Sequence, residues 1–163
     1  MDRVKQAIAQ WQQEMPDLDL LPMEVVGYLK ATQQFSQERL QTFFKEYGLQ
    51  AGEFDVLATL RRSGVPYRLG PTQLFETLMI SSGGMTSRLD RLERAGLIAR
   101  SPNPEDRRGT LVSLTEEGLA LMERMIPRHM ENEARMLAAL SRAEQQALSK
   151  LLSKLLEGLA DET

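Results

Sequence analysis

The spacing of apolar residues along the first part of the chain predicts three amphipathic helices. The first helix covers about residues 2–15 and repeats its apolar side chains every three or four positions, at Val4, Ile8, Trp11 and Met15. Pro16 ends this helix. A second helix is predicted over about 23–47, closed by a glycine at position 48, and a third over about 52–62.

Two shorter helices with a tight break between them are predicted next. Pro71 opens the first, over about 72–78, and Ser81 or Ser82 is expected to cap the second, which runs to Ala95 before Gly96. The inward face of that second helix and its exit carries Met85, Leu89, Leu92 and Leu97. Helix, short turn and second amphipathic helix form a helix-turn-helix pattern.

The apolar period changes after Gly96 from that of a helix to that of strands. Residues 97–100 and 110–114 are predicted strands, and the polar, proline-containing stretch 101–109 between them is a predicted loop. A strand hairpin directly after a helix-turn-helix indicates a wing.

The last part of the chain is predicted to form two helices. Thr115 caps a long helix to about residue 140, in which Pro127 predicts a kink, and Ser141 with Glu144 forms a capping box for the next helix. That last helix carries a wide leucine stripe at Leu148, Leu151, Leu152, Leu155, Leu156 and Leu159. The stripe predicts a dimer interface, and packing within one chain is the alternative.

Together these elements predict a mainly α fold with a small β-wing, a winged helix-turn-helix domain with N- and C-terminal dimerisation helices. We expect a single domain over 1–163, with the DNA-binding region at 50–115. The flanking segments 1–47 and 116–160 would supply the dimerisation helices.

Arginine is concentrated in the predicted DNA-binding region. Residues 61–112 contain nine arginines and five acidic residues, although the whole chain has a net charge of −3. Guanidinium groups suit phosphates and base edges, so this basic middle is expected to meet a polyanion. An ordinary solvated charged surface is the alternative.

Composition excludes several classes of protein. There are no cysteines and one histidine, His129, so thiolate or multi-imidazole metal sites and a catalytic cysteine are excluded, and no metal or cofactor is expected. His129 has no nucleophile at suitable spacing, so we do not expect an enzyme. No apolar run reaches the roughly 20 residues of a membrane span, and no signal-peptide pattern is present, so a cytoplasmic protein is expected.

Three segments resemble the MarR family of regulators. They are residues 52–60 (GEFDVLATL), 85–98 (MTSRLDRLERAGLI) and 104–115 (PEDRRGTLVSLT), the last with an Asp-x-Arg-Gly signature at Asp106, Arg108 and Gly109. The resemblance covers about residues 25–159 and implies a homodimer that binds double-stranded DNA at a palindromic operator, usually as a repressor. It makes 85–98 the recognition helix with its exit and 104–115 the wing, and it implies that a ligand would bind on the side of the flanking segments 1–47 and 116–160.

The predicted DNA contacts lie on the outward face of the recognition helix and at the tip of the wing. They are Ser82, Gly83, Thr86, Ser87, Arg88, Arg91, Arg107 and Arg108. Hydroxyls and arginines donate to phosphates and base edges, and a wing arginine suits the narrow minor groove. Asp90 would repel phosphate, so we expect it to pair with a nearby arginine.

A narrower resemblance points to the urate-responsive branch of the family. Its ligand-binding positions correspond here to Trp11, Asp55, Arg88 and Arg100. These residues imply a small anionic effector, urate or a related purine, that releases DNA. The alternatives are an apolar core role for Trp11, structural salt bridges for the other three, a phenolic or other aromatic effector, and a helical protein-interaction module that does not bind DNA.

Overall fold

The fold is taken from a computed structural model that describes residues 2–79, 84–105 and 109–161. Its internal contacts divide the chain into two compact units, Met1–Ala51 and Gly52–Thr163. The architecture is mostly helical with one small antiparallel sheet, which confirms the predicted fold class. None of the helices within the described ranges is long and apolar enough to cross a bilayer.

The first unit contains α1 (Arg3–Glu14) and α2 (Leu21–Glu46). The Asp2 carboxylate caps α1 by accepting from the backbone N–H of Val4 and of Lys5, at 3.0 and 3.1 Å. It also accepts from the Tyr28 hydroxyl of α2 at 2.7 Å, and this hydrogen bond raises the pKa of Tyr28 to about 12. The cap therefore also ties the start of α1 to α2.

The second unit contains the remaining elements, and α3 begins at its boundary. In chain order these are α3 (Ala51–Arg62), β1 (Arg68–Leu69), α4 (Pro71–Thr77), α5 (Met85–Arg94), β2 (Ile98–Pro102), β3 (Thr110–Leu114), α6 (Glu116–Met136) and α7 (Arg142–Asp161). The sheet has the order β1-β3-β2, with Arg68 opposite Ser113 and Arg100 opposite Val112. The predicted wing strands are thus a hairpin completed by a third strand.

Several predicted boundaries need correction. The N-cap of α5 is Gly84, with φ of 84°, and not Ser81 or Ser82, which lie outside the described residues. Strand β2 extends to Pro102, into the predicted loop, and α6 ends at Met136. Strand β1 is not among the predicted elements, because two residues are too few to show an alternating pattern.

The apolar core of the second unit draws on almost every element in it. Its buried side chains are Val56, Leu57, Leu60, Leu74, Leu89, Leu92, Ile98, Val112, Leu121, Met122 and Met125. The two leucines of α5 in this set, Leu89 and Leu92, are predicted to face inward, and they do. Met85 and Leu97, from the same prediction, are half-buried.

The start of α6 is fixed to the turn that follows α5. Thr115 caps α6 as predicted by accepting from Gly118 N–H at 3.0 Å, and its hydroxyl donates to the Gly96 carbonyl at 2.6 Å. Gly118 lies so close that an added Cβ would overlap the Leu97 carbonyl. This contact holds the exit of α5 at a defined distance from α6.

The predicted leucine stripe of α7 lies on the surface of the single chain. Its six leucines range in exposure from 38% at Leu148 to 70% at Leu156. This exposure favours the predicted dimer interface over packing within one chain, and the interface stays a prediction. The predicted capping box is present, since Ser141 N–H donates to the Glu144 carboxylate at 2.7 Å.

Candidate nucleic-acid interface

The recognition helix α5 presents small hydroxyl side chains and arginine to solvent. Thr86, Ser87 and Arg91 are exposed or partly exposed, whereas Leu89 and Leu92 are buried. Ser87 and Arg91 are four residues apart, so they lie on the same face of the helix. Of the predicted DNA contacts, Ser82 and Gly83 lie outside the described residues.

Arg91 forms an ion pair with a carboxylate that the sequence analysis did not single out. Its Nε lies 2.7 Å from Oε1 of Glu53, in the first turn of α3. The Glu53 side chain is 2% exposed and the Arg91 side chain 46% exposed. The pair therefore spans from the interior to the surface on which DNA contacts are predicted.

Arg88, the preceding arginine on α5, lies against the same turn of α3. A Cβ added to Gly52 would overlap the Arg88 guanidinium, so this side chain packs directly against the glycine and would have to shift for any larger residue. Gly52 and Asp55 are three residues apart and share one face of α3, and Asp55 is buried. Arg88 and Asp55, both predicted ligand residues, are thus brought to the same end of α3.

Arg100 of β2 is held by two carboxylates of α5. Its Nη2 lies 2.6 Å from Asp90 Oδ1 and 2.5 Å from Glu93 Oε2, and its Nε donates to Glu93 at 2.9 Å. The hydrogen bond from Arg100 lowers the pKa of Glu93, and the two carboxylates raise the pKa of Arg100. The prediction that Asp90 pairs with an arginine is confirmed.

The wing is described at its base only. Asn103 N–H donates to the Gly109 carbonyl at 2.9 Å, and Glu105 N–H to the Asn103 side chain at 3.0 Å. The first bond joins the two sides of the hairpin below its tip, and the second forms a local turn on the β2 side. The predicted DNA contacts Arg107 and Arg108, and Asp106 beside them, lie outside the described residues.

The remaining residues from the sequence analysis lie on other helices. Trp11 lies on α1 in the first unit and is 43% exposed, so it is not a buried core residue. His129 of α6 packs against Phe54, with ring centroids 4.6 Å apart, and burial lowers the pKa of the imidazole. No cluster of three potential metal ligands occurs among the described residues.

The sequence pattern did not reveal Gly52, Glu53 and Glu93 as parts of this region. Glu53 stands at the start of a mainly apolar block that also carries Asp55 and Thr59, so its charge alone does not distinguish it. Its partner Arg91 is distant in the sequence and lies on another helix. Spacing rules report neighbours on one element and therefore miss such pairs.

A helix-turn-helix followed at once by an antiparallel hairpin defines a winged helix-turn-helix DNA-binding protein. The MarR family profile matches residues 49–110 of the chain, the stretch that contains these elements. The regulator PecS of Dickeya dadantii is 44% identical over 93% of this chain and 91% of its own length. The chain belongs to the MarR family of transcriptional regulators and binds DNA, and the similarity to PecS supports the predicted branch.

The solved structures that are similar to this chain include two further regulators. A variant of Escherichia coli MarR in complex with operator DNA is 27% identical, with a TM-score of 0.70, over 90% of this chain and 97% of its own. Bordetella bronchiseptica BpsR, whose DNA binding is regulated by 6-hydroxynicotinic acid, is 30% identical, with a TM-score of 0.70, over 81% of this chain and 98% of its own. The relatives are regulators, which confirms the prediction that the chain is not an enzyme.

Proposed function

We propose that the protein is a cytoplasmic homodimeric repressor that binds a palindromic operator and releases it when a small anionic ligand, urate or a related purine, binds. The observation that supports such a ligand is the packing of the Arg88 guanidinium against Gly52, on the face of α3 that also contains Asp55. A cation on the recognition helix is thereby linked to the region where a ligand would act.

The chemistry of these residues suits a flat oxidised purine that is an anion at neutral pH. An arginine pairs with such an anion through two parallel hydrogen bonds, and a carboxylate accepts from ring N–H groups. Arg88 is the first partner in this proposal, because a ligand would have to compete with Asp90 and Glu93 for Arg100. A ligand that moves Arg88 moves the helix that carries it, which shifts the population away from the DNA-binding arrangement.

The dimer follows from the leucine stripe of α7 and from the geometry of DNA reading. One recognition helix and one wing read a half-site, and a two-fold pair reads two half-sites about one helical turn apart. The exposed leucines of α7 form an apolar surface of the kind that a second copy covers.

The test begins with selection of bound sequences from random DNA, followed by fluorescence anisotropy on the selected operator. Binding should weaken steeply as salt rises, since arginines displace counterions from the phosphates. Urate should weaken binding in the wild type and much less in Asp55→Asn. The purine would be ruled out as the effector if urate, up to its solubility limit, changed neither the operator affinity nor the Trp11 fluorescence.

A second effector class has a specific observation in its favour. BpsR, a structural relative, is regulated by 6-hydroxynicotinic acid, a planar aromatic acid. The same anisotropy assay with this acid and with salicylate distinguishes the classes. Release by the aromatic acids and not by urate or xanthine would assign the site to carboxylated aromatic ligands.

A further inference from the structure

The ion pair between Glu53 and Arg91 links the interior of α3 to the exposed face of the recognition helix. Glu53 is 2% exposed, and a carboxylate at that depth is costly unless a cation or hydrogen bonds compensate it. Arg91 supplies the cation through Nε at 2.7 Å. The buried partner is therefore fixed by packing, and the exposed partner takes its orientation from it.

Arg91 contacts another helix, whereas Arg94, the other arginine at the end of α5, contacts its own helix. Arg94 donates its Nε to the Asp90 carbonyl of the same helix at 3.2 Å, so its contact stays within α5. Arg91 instead contacts a different helix, while its side chain remains 46% exposed on the face that also carries Ser87. A guanidinium has five donors in one plane, and an ion pair at its Nε limits the directions that this plane can take.

We propose that Glu53 is a positioning residue for DNA binding: its buried carboxylate orients Arg91 so that the exposed part of the guanidinium contacts a backbone phosphate. The pair has no net charge, so Arg91 contributes through its fixed direction more than through added positive charge. An anchored arginine loses less side-chain freedom when it meets the phosphate than one that is free to rotate. The inference depends on DNA binding and is independent of the proposed effector.

The variants are chosen so that the protein still folds. Glu53→Leu fills the buried position with an apolar side chain of similar size, and the Arg91 guanidinium that it leaves behind is one that solvent already reaches. Glu53→Gln removes the negative charge but keeps a polar side chain of the same shape. Glu123→Gln is the control, because Glu123 forms an ion pair with another arginine, Arg61, at the same Nε–Oε1 distance of 2.7 Å, and this pair does not involve α5.

Operator affinity is measured by anisotropy at several salt concentrations, with thermal unfolding of each variant alongside. We expect Glu53→Leu to weaken binding about tenfold, Glu53→Gln to weaken it less, and Glu123→Gln to leave it unchanged. Arg91→Gln should also weaken binding and make the salt dependence shallower by about one phosphate contact. Combining Glu53→Leu with Arg91→Gln should give no further loss beyond Arg91→Gln alone.

A purely structural ion pair would give a different result. The proposal would be overturned if Glu53→Leu bound the operator with full affinity. It would also be overturned if the losses of affinity from Glu53→Leu and Arg91→Gln multiplied in the double variant. If Glu53→Leu does not fold, Arg91→Lys replaces it as the test, because lysine keeps the positive charge but lacks the planar guanidinium. Wild-type operator affinity in Arg91→Lys would overturn the proposal. Failure of the wild type to bind any selected DNA would contradict the proposed function instead.

Discussion

At the scale of single residues, three glycines of the second unit meet very different surroundings. A Cβ on Gly118 would overlap the backbone carbonyl of Leu97, whereas a Cβ on Gly52 would overlap the end of the flexible Arg88 side chain. Gly158, inside α7, has no atom within 4 Å of the position of an added Cβ. Helix propensity alone would favour alanine at all three positions by about 1 kcal/mol, so packing decides where glycine is required.

Replacing Gly118 with alanine is therefore expected to destabilise the protein by about 1–3 kcal/mol, as overpacking of a rigid backbone contact typically does. The Thr115 cap would be forced away from the turn after α5, so DNA affinity should fall as well. Urea unfolding of Gly118→Ala and of the control Gly158→Ala measures the difference. The control should be as stable as the wild type or slightly more stable, and equal stability of the two variants would show that α6 does not pack closely there.

At the scale of elements, the wing is fastened to the recognition helix along the outer edge of the sheet. Strand β2 lies at that edge, so its outward N–H groups have no neighbouring strand. The Arg100 N–H donates to the Glu93 side chain at 3.3 Å, and the Arg100 side chain pairs with Asp90 and Glu93. Two carboxylates of α5 thus set the position of the hairpin that carries the wing.

Replacing Arg100 with methionine should loosen this attachment while keeping the apolar part of the side chain. The side chains involved are 31–45% exposed, so solvent screens these pairs and the free energy of unfolding should change little. Faster amide hydrogen exchange in β2 and weaker operator binding are expected. Arg68→Met is the control, because Arg68 is exposed on β1 and forms no ion pair within the described part of the chain. If amide hydrogen exchange in β2 were no faster in Arg100→Met than in Arg68→Met, the Arg100 ion pairs would not hold the wing to α5.

The helices and the wing were predictable because apolar spacing and capping residues are local signals. The capping box at Ser141, the cap at Thr115 and the buried leucines of α5 follow from residues within a few positions of one another. The contacts that position the DNA-binding arginines were not predictable in this way. Glu53 with Arg91 and Gly52 with Arg88 join different helices, and no local period records which turn of one helix faces which turn of another.

At the scale of the whole molecule, the leucine stripe of α7 decides between a monomer and a dimer. Leu156 is 70% exposed in the single chain, so a glutamate there costs a monomer little. In a dimer the same glutamate would be buried in an apolar interface without a partner, which is strongly unfavourable. Leu156→Glu therefore separates the two states.

We expect Leu156→Glu to be a folded monomer that binds the full operator about a hundredfold more weakly than the wild type, because one protomer engages only one half-site. Lys154→Glu is the matched control: it introduces the same side chain two positions away, on the opposite side of α7, and changes the net charge by more. Light scattering after size exclusion gives the mass, circular dichroism the helicity, and anisotropy the affinity. A dimeric Leu156→Glu protein with full operator affinity would show that a different surface joins the protomers.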